Sequence, residues 1–320
     1  MFSLRSTGAA LGLAVVLAIP ATSAAARPPA PHQPPAPHSP HVSAVTKANA
    51  LEAMHGEAFA YAKYDAFAGE AARAGVTSLA ALFTQTAQTE LDDHFAAEAA
   101  VAGVVGTTAA NLTDAIAGET YETTTMYPGF AAQATADGCT AAAALFTEIA
   151  ADEAGHAAAY QAALAALTDP GVTVPAPPTV DVVAIVASAP ACSGATNENL
   201  RAAMIGESFA QAKYGLFADR ATKDGHPEIA ALFDGTAQVE LREHFAGEAN
   251  LAGLVMTNVS DLVDAIMGEG AEAMTTYPGY AAQADAAHDR KAAQLFRDIA
   301  SDELAHAMAF GQALAAYVRG

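Results

Sequence analysis

Residues 82–95, LFTQTAQTELDDHF, return at residues 232–245 as LFDGTAQVELREHF. Each stretch sets a Glu and a His four residues apart on an apolar background: Glu90 with His94, and Glu240 with His244. The match extends outward on both sides. GEAFAYAKY at 56–64 becomes GESFAQAKY at 206–214, and DAIAGE at 114–119 becomes DAIMGE at 264–269. Seven side chains able to bind metal recur without a gap, 150 residues apart (Glu57 to Glu207). Glu57, Glu90, His94, Glu119, Glu122, Glu153 and His156 correspond to Glu207, Glu240, His244, Glu269, Glu272, Glu303 and His306. An internal repeat of this length marks two similar structural units.

The 320 residues accommodate about two domains, and the repeat places them at 47–168 and 197–320. The hydrophobic fraction is 52%, much of it Ala, and there is no Trp. Ala-rich segments with a 3.6-residue period favour helix. Four helices are expected in the first repeat, near 47–74, 77–103, 111–136 and 140–167, with Thr77 and Asn111 as N-caps. The second repeat follows with the same offset. The fold class is therefore all-α, two four-helix bundles in tandem.

A lone Glu on a helix is ordinarily solvated. Here the neighbours place these residues on core-facing stripes. Phe83, Ala87, Glu90, His94 and Val101 share one face. So do Phe146, Ile149, Glu153, His156 and Tyr160. Glu57 lines up with Ala60, Tyr64 and Phe67, and Glu119 and Glu122 with Leu112, Ala115 and Met126. Buried carboxylates are costly unless paired, protonated or metal-bound. Four helices each bringing Glu to one level, two of them adding His, form a di-metal carboxylate site. Oxygen and imidazole donors suit iron or manganese. Glu98 and Glu248, one turn past the second-helix histidines, are read as solvated positions, with a supporting role beside the metal as the alternative.

The formal charge of -21 argues against nucleic acid, since phosphate binding needs clustered Lys and Arg. Residues 1–26 have the form of a secretory signal: Arg5, the short apolar run LGLAVVLAI and Ala24-Ala25-Ala26. The expected location is secreted, periplasmic or cell-envelope, with no membrane span after cleavage. Residues 27–46 are a Pro/His-rich tether, with His32, His38 and His41 read as spacer. Residues 169–196 form a Pro-rich linker whose apolar piece VDVVAIVASAP is expected to pack against a bundle. Cys139 and Cys192 make no CxxC pair; in an exported chain they are either free or joined. His55, His226 and His288 have no repeated counterpart and are read as surface residues.

These motifs resemble the rubrerythrin family of the ferritin-like superfamily. The resemblance rests on GE with Tyr seven residues on (Glu57 and Tyr64; Glu207 and Tyr214). It rests too on GExxE before YP (Glu119, Glu122, Tyr127-Pro128; Glu269, Glu272, Tyr277-Pro278) and on a late ExxH (Glu153 to His156; Glu303 to His306). It implies tandem ferritin-like bundles holding two di-iron centres, with manganese as the alternative. It implies bridging by Glu90 with Glu153 and Glu240 with Glu303. One iron would shift between Glu122 and His94, and between Glu272 and His244, as redox state changes. Tyr64, Tyr127, Tyr214 and Tyr277 would hydrogen-bond ligands. Two departures stand out: the second-helix Glu and His are four apart rather than three, and no rubredoxin-like segment is found.

The implied function is reduction of hydrogen peroxide with electrons from an external donor. The first alternative is a ferroxidase or iron-handling protein that uses oxygen; the second is a non-catalytic metal-binding envelope protein. A homo-oligomer is compatible with all three.

The connector between the second and third helices raises a question of pairing. A return along one bundle from near Gly103 spans roughly 30 Å at 1.5 Å per helical residue. VGTTAA covers only about 20 Å when fully extended. Either the second helix stops near Ala99, or the third enters the bundle of the other repeat. Exchange would join Glu57, Glu90 and His94 to Glu269, Glu272, Glu303 and His306. Self-contained bundles would instead set Glu90 beside Glu153.

Overall fold

The computed structural model describes residues 42–319. The signal-like segment and most of the Pro/His-rich tether, including His32, His38 and His41, lie outside the described residues. Eight helices and no strands are present among the described residues. In the first repeat α1 is Ala44–Arg73. Helix α2 runs through Thr77–Thr89, Glu90–Phe95 and Ala96–Ala102. Helix α3 runs through Thr108–Tyr121, Glu122–Met126 and Tyr127–Ala136, and α4 is Thr140–Ala166. The second repeat gives α5, Ala195–Lys223, and α6, through Pro227–Val239, Glu240–His244 and Phe245–Ala252. Helix α7 runs through Asn258–Ala271, Glu272–Thr276 and Tyr277–Ala286, and α8 is Arg290–Tyr317.

The helix ends follow local chemistry. Thr107, not Asn111, caps α3, its side chain accepting from Ala110 N–H. Asn111 lies one turn inside and accepts from Gly106 N–H at 2.7 Å. Gly103 closes α2 at φ 74°, a left-handed value that suits glycine. At the turn before α8 the same region is held by His288, φ 65°, where the first repeat has Gly138.

The repeat is a unit of sequence and not of packing. Helices α1 and α2 pack with α7 and α8, and α5 and α6 with α3 and α4. One core joins Tyr64, Phe67 and Phe83 of the first repeat to Leu262, Ala265 and Phe310 of the second. Its counterpart joins Leu112 and Tyr160 to Tyr214, Phe217 and Phe233. Polar ties cross in the same sense: Lys63 Nζ donates to Asp264 at 2.9 Å and Lys213 Nζ to Asp114 at 2.8 Å. Neither repeat closes a bundle alone. The connector is the physical reason: α2 does not stop near Ala99 but continues to Ala102, leaving too few residues to return. The two bundles meet through α1 and α5, with Phe59 set edge-on to Phe245 and Phe95 to Phe209.

Cys139 and Cys192 are joined as a disulfide, Cα–Cα 5.8 Å, which ties the linker to the start of α4. The apolar piece of the linker packs against a bundle as expected, chiefly through its backbone. Ile185 is half-buried against the cores, while Val182, Val183 and Val186 are exposed, and the backbone makes most of the attachment. No helix among the described residues is long and apolar enough to cross a membrane.

Candidate metal centres

Four short π-helical segments lie at the ligands: Glu90–Phe95, Glu122–Met126, Glu240–His244 and Glu272–Thr276. A π turn bonds i to i+5 and so inserts one residue into an α-helix. That insertion accounts for the four-residue spacing of Glu90 and His94, and of Glu240 and His244. The extra residue is taken up by the wider turn, and both side chains face the core.

In the first centre His94 Nδ1 lies 2.8 Å from Glu90, 3.0 Å from Glu303 and 3.7 Å from Glu57. His306 Nδ1 lies 3.1 Å from Glu90, 3.2 Å from Glu303 and 3.4 Å from Glu269. The second centre repeats this. His244 Nδ1 is 2.8 Å from Glu240, 3.1 Å from Glu153 and 3.6 Å from Glu207. His156 Nδ1 is 2.8 Å from Glu153, 3.3 Å from Glu240 and 3.7 Å from Glu119. In each centre two carboxylates touch both histidines: Glu90 with Glu303, and Glu153 with Glu240. These are the carboxylates that would bridge a metal pair, and the pairing corrects the expected Glu90 with Glu153 and Glu240 with Glu303.

Glu272 and Glu122 lie outside the tight four-donor groups. Both are half-buried on their π segments. Glu272 interacts electrostatically with His94, and Glu122 with His244. The glutamate–histidine partners expected from the resemblance are therefore crossed. The GE motifs pass close to these carboxylates: a Cβ on Gly56 would lie 3.6 Å from Glu272 Oε1, and on Gly206 3.9 Å from Glu122 Oε1, both ordinary van der Waals contacts.

Tyrosines hold the terminal carboxylates, again across repeats. Tyr64 donates to Glu269 and Tyr277 to Glu57; Tyr214 donates to Glu119 and Tyr127 to Glu207. Tyr277 also reaches Glu98 at 2.8 Å, and Tyr127 reaches Glu248 at 3.1 Å. Glu98 and Glu248 are fully buried, contrary to the solvated reading. They continue the His stripe by one further turn, a signal present in the sequence. Two other residues were missed there: Asp302 lies 3.6 Å from His94 Nε2 and Asp152 3.5 Å from His244 Nε2. At these distances each carboxylate faces the outer ring nitrogen as an ionic contact and not as a hydrogen bond. Of the other histidines, His55 is half-buried and stacks on Phe209 at 3.9 Å, and His226 precedes α6.

The donor sets fit a pair of divalent metals. Glu57, Glu90, His94 and Glu303 each present a ligand atom within 4.8 Å of the rest, as do Glu90, Glu269, Glu303 and His306. Glu119, Glu153, His156 and Glu240, and Glu153, Glu207, Glu240 and His244, do the same. Both oxygens of Glu90 and Glu240, and both ring nitrogens of His94 and His244, are buried without a hydrogen-bond partner. Buried polar atoms normally find partners, and a convergent set of unpaired oxygen and imidazole donors is the coordination chemistry of iron or manganese.

Electrostatics agree. Burial lowers the histidines, but close contact with the surrounding carboxylates outweighs it and leaves His94 raised, and His306 pushed up to about 12. Burial, reinforced by neighbouring carboxylates, pushes Glu122 and Glu272 up to about 8. Without metal, these two groups are protonated in the folded chain at pH 7 and ionised in the unfolded one. Their contribution to stability is full below the ordinary Glu value of about 4.3. It is lost as pH rises toward about 8. Calorimetry of the metal-free protein should show the melting temperature falling as pH is raised from about 5 to 8. The metal-loaded protein should show the opposite sign at acid pH, because protons compete for the ligands.

The family model described as Rubrerythrin matches residues 89–164, 198–246 and 238–314. The chain is similar to a rubrerythrin of Porphyromonas gingivalis, 36% identical over 139 residues, covering 40% of this chain and 70% of that protein. It is similar to a nigerythrin of Nitratidesulfovibrio vulgaris, 36% identical over 147 residues, 42% of this chain and 71% of that protein. A rubrerythrin of the same organism is 34% identical over 123 residues, 35% of this chain and 64% of that protein. No solved structure matches the chain.

Proposed function

The chain belongs to the rubrerythrin family, and from that premise we propose that it reduces hydrogen peroxide at two di-iron centres, using electrons from a separate donor. The observation that carries this reading is the pair of buried clusters, each with two carboxylates touching both histidines and an additional Glu beside them. Glu57, Glu90, His94, Glu269, Glu303 and His306 would hold one iron pair, and Glu119, Glu153, His156, Glu207, Glu240 and His244 the other. When bound, ferrous iron would supply the two electrons that convert peroxide to two waters.

The protein's own groups set the conditions for that chemistry. Tyr64 and Tyr277 fix the orientation of Glu269 and Glu57. Phe83, Phe310, Phe296 and Ile299 are buried along the same bundle and keep bulk water away. Peroxide reduction to water also consumes two protons. Solvent would supply both at each centre, with Glu272 beside the first and Glu122 beside the second, each half-buried, placed to relay a proton.

Export is part of the proposal: the signal-like segment suggests it. The disulfide Cys139–Cys192 supports it, because such bonds persist in oxidising compartments.

Stopped-flow mixing of the reduced, iron-loaded protein with peroxide and separately with oxygen tests the reaction. Oxidation by peroxide should be at least about 100-fold faster, a difference of roughly 2.7 kcal/mol in barrier. Faster oxidation by oxygen, with ferrous ion consumed continuously and no donor needed, would replace this reading with the ferroxidase one. Inertness toward both would leave a metal-binding role.

A further inference from the structure

The two repeats agree at every ligand and differ in what covers them. Residues 167–194 leave α4 and run as an extended strap along the outside of α6. Val183 N–H donates to Arg242 C=O at 2.9 Å, Ser188 N–H to Val255 C=O at 3.0 Å and Ala191 N–H to Leu251 C=O at 2.8 Å. Asn250 clamps the strap twice: its Nδ2 donates to Ala184 C=O at 3.0 Å, and its Oδ1 accepts from Val186 N–H at 2.9 Å. Asp181 N–H donates to Glu243 at 2.9 Å. The disulfide at Cys192 anchors the far end.

Helix α6 is shaped for this strap. A Cβ on Gly235 would lie 2.5 Å from Pro177 Cβ, so only glycine admits the proline there. The positions of α2 that match Gly235, Glu243 and Asn250 hold Gln85, Asp93 and Ala100. The second helix of the first repeat therefore lacks the notch and the clamp.

Beneath the strap lies a cavity of about 320 Å³, walled by Pro178 and Thr179 of the strap, Asp152 and His156 of α4, and Thr236 and Glu243 of α6. His156 belongs to both the cavity and the second centre, so the cavity reaches that centre at one of its histidines. The corresponding His306 side chain is 16% exposed against 8% for His156. At about 30 Å³ per water, the space admits peroxide together with several waters. Asp152 and Glu243 in its wall disfavour anions.

We propose that this cavity is the route by which a small, neutral, hydrogen-bonding molecule such as hydrogen peroxide reaches the second centre, and that the strap makes that centre slower to reach than the first. This inference rests on reading both clusters as di-metal centres. The two centres, alike in ligands, then differ in access.

The test follows release of iron from the fully loaded chain into an excess of an anionic ferrous chelator. Two phases of equal amplitude are expected. Glu269→Ala should remove the fast phase and Glu119→Ala the slow one. Asn250→Ala, which removes two strap hydrogen bonds, should speed the slow phase by about tenfold and leave the fast phase alone. Cys192→Ser should act in the same direction. Gly235→Val, which displaces Pro177 without deleting a hydrogen bond, provides the same check should Asn250→Ala fail to fold. A single phase, a slow phase assigned to the first centre, or a slow phase unmoved by these variants would overturn the proposal. A chain that takes up no iron pairs fails the di-metal reading itself, and the two failures are thus distinguishable.

Discussion

Stripping metal from the loaded protein is expected to lower its melting temperature by about 15 °C or more. Each centre packs five glutamates into an apolar bundle, and several of their oxygens have no hydrogen-bond partner. Burial raises Glu57, Glu119 and Glu207 well above the usual carboxylate range. Metal removes both penalties together. An ion present at 1,000 times its dissociation constant contributes about 4 kcal/mol, so one such ion in each centre contributes about 8 kcal/mol. For a chain of this size, one kcal/mol corresponds to roughly 2 °C. Calorimetry with and without chelator at one pH measures the difference. Coincident melting curves would remove the ligand assignment.

Paired alanine substitutions should then separate exchange from self-containment by metal count alone. Glu90 and Glu303 belong to one centre although they lie in different repeats. Glu90→Ala with Glu303→Ala is expected to halve bound metal, from about four ions to about two. Glu90→Ala with Glu153→Ala removes a bridging ligand from each centre and should abolish most binding, although both residues lie in the first repeat. Self-contained bundles would reverse these outcomes. Metal analysis after desalting reads the result directly, and circular dichroism checks that both variants stay helical.

Much of this arrangement was legible in the amino-acid sequence because metal ligands on helices obey a strict period. Stripes such as Phe146, Ile149, Glu153, His156 and Tyr160 require a core-facing position, and the structure buries them. The exchange of helix pairs was foreshadowed by chain length alone: five residues between Ala102 and Thr108 do not span a bundle. Other features left weaker traces. The π turns have no propensity signature, and their one mark was the Glu90 to His94 spacing. Glu98 continued the stripe, but an acid one turn from a ligand is more often solvated, and the partner that buries it, Tyr277, lies 179 residues away. Asp302 is exposed and Asp152 half-buried, and the histidine each faces lies on a helix from the other repeat. That the linker packs on a bundle was expected from its apolar piece; its path along α6 was not, because it is set by strap backbone groups meeting Asn250, Glu243 and Gly235 of a distant helix.

Fusion changes what the exchanged bundles permit. Two identical chains trading helices would be bound to symmetry, and every substitution would appear on both sides at once. Joined through residues 167–194, the two partners always meet in a fixed one-to-one ratio, each copy opposite its unlike neighbour. A single substitution therefore alters one bundle and leaves the matching position of the other unchanged. Gly235 against Gln85 and Asn250 against Ala100 are divergences of this kind. One centre can in this way be specialised while the other keeps its own exposure.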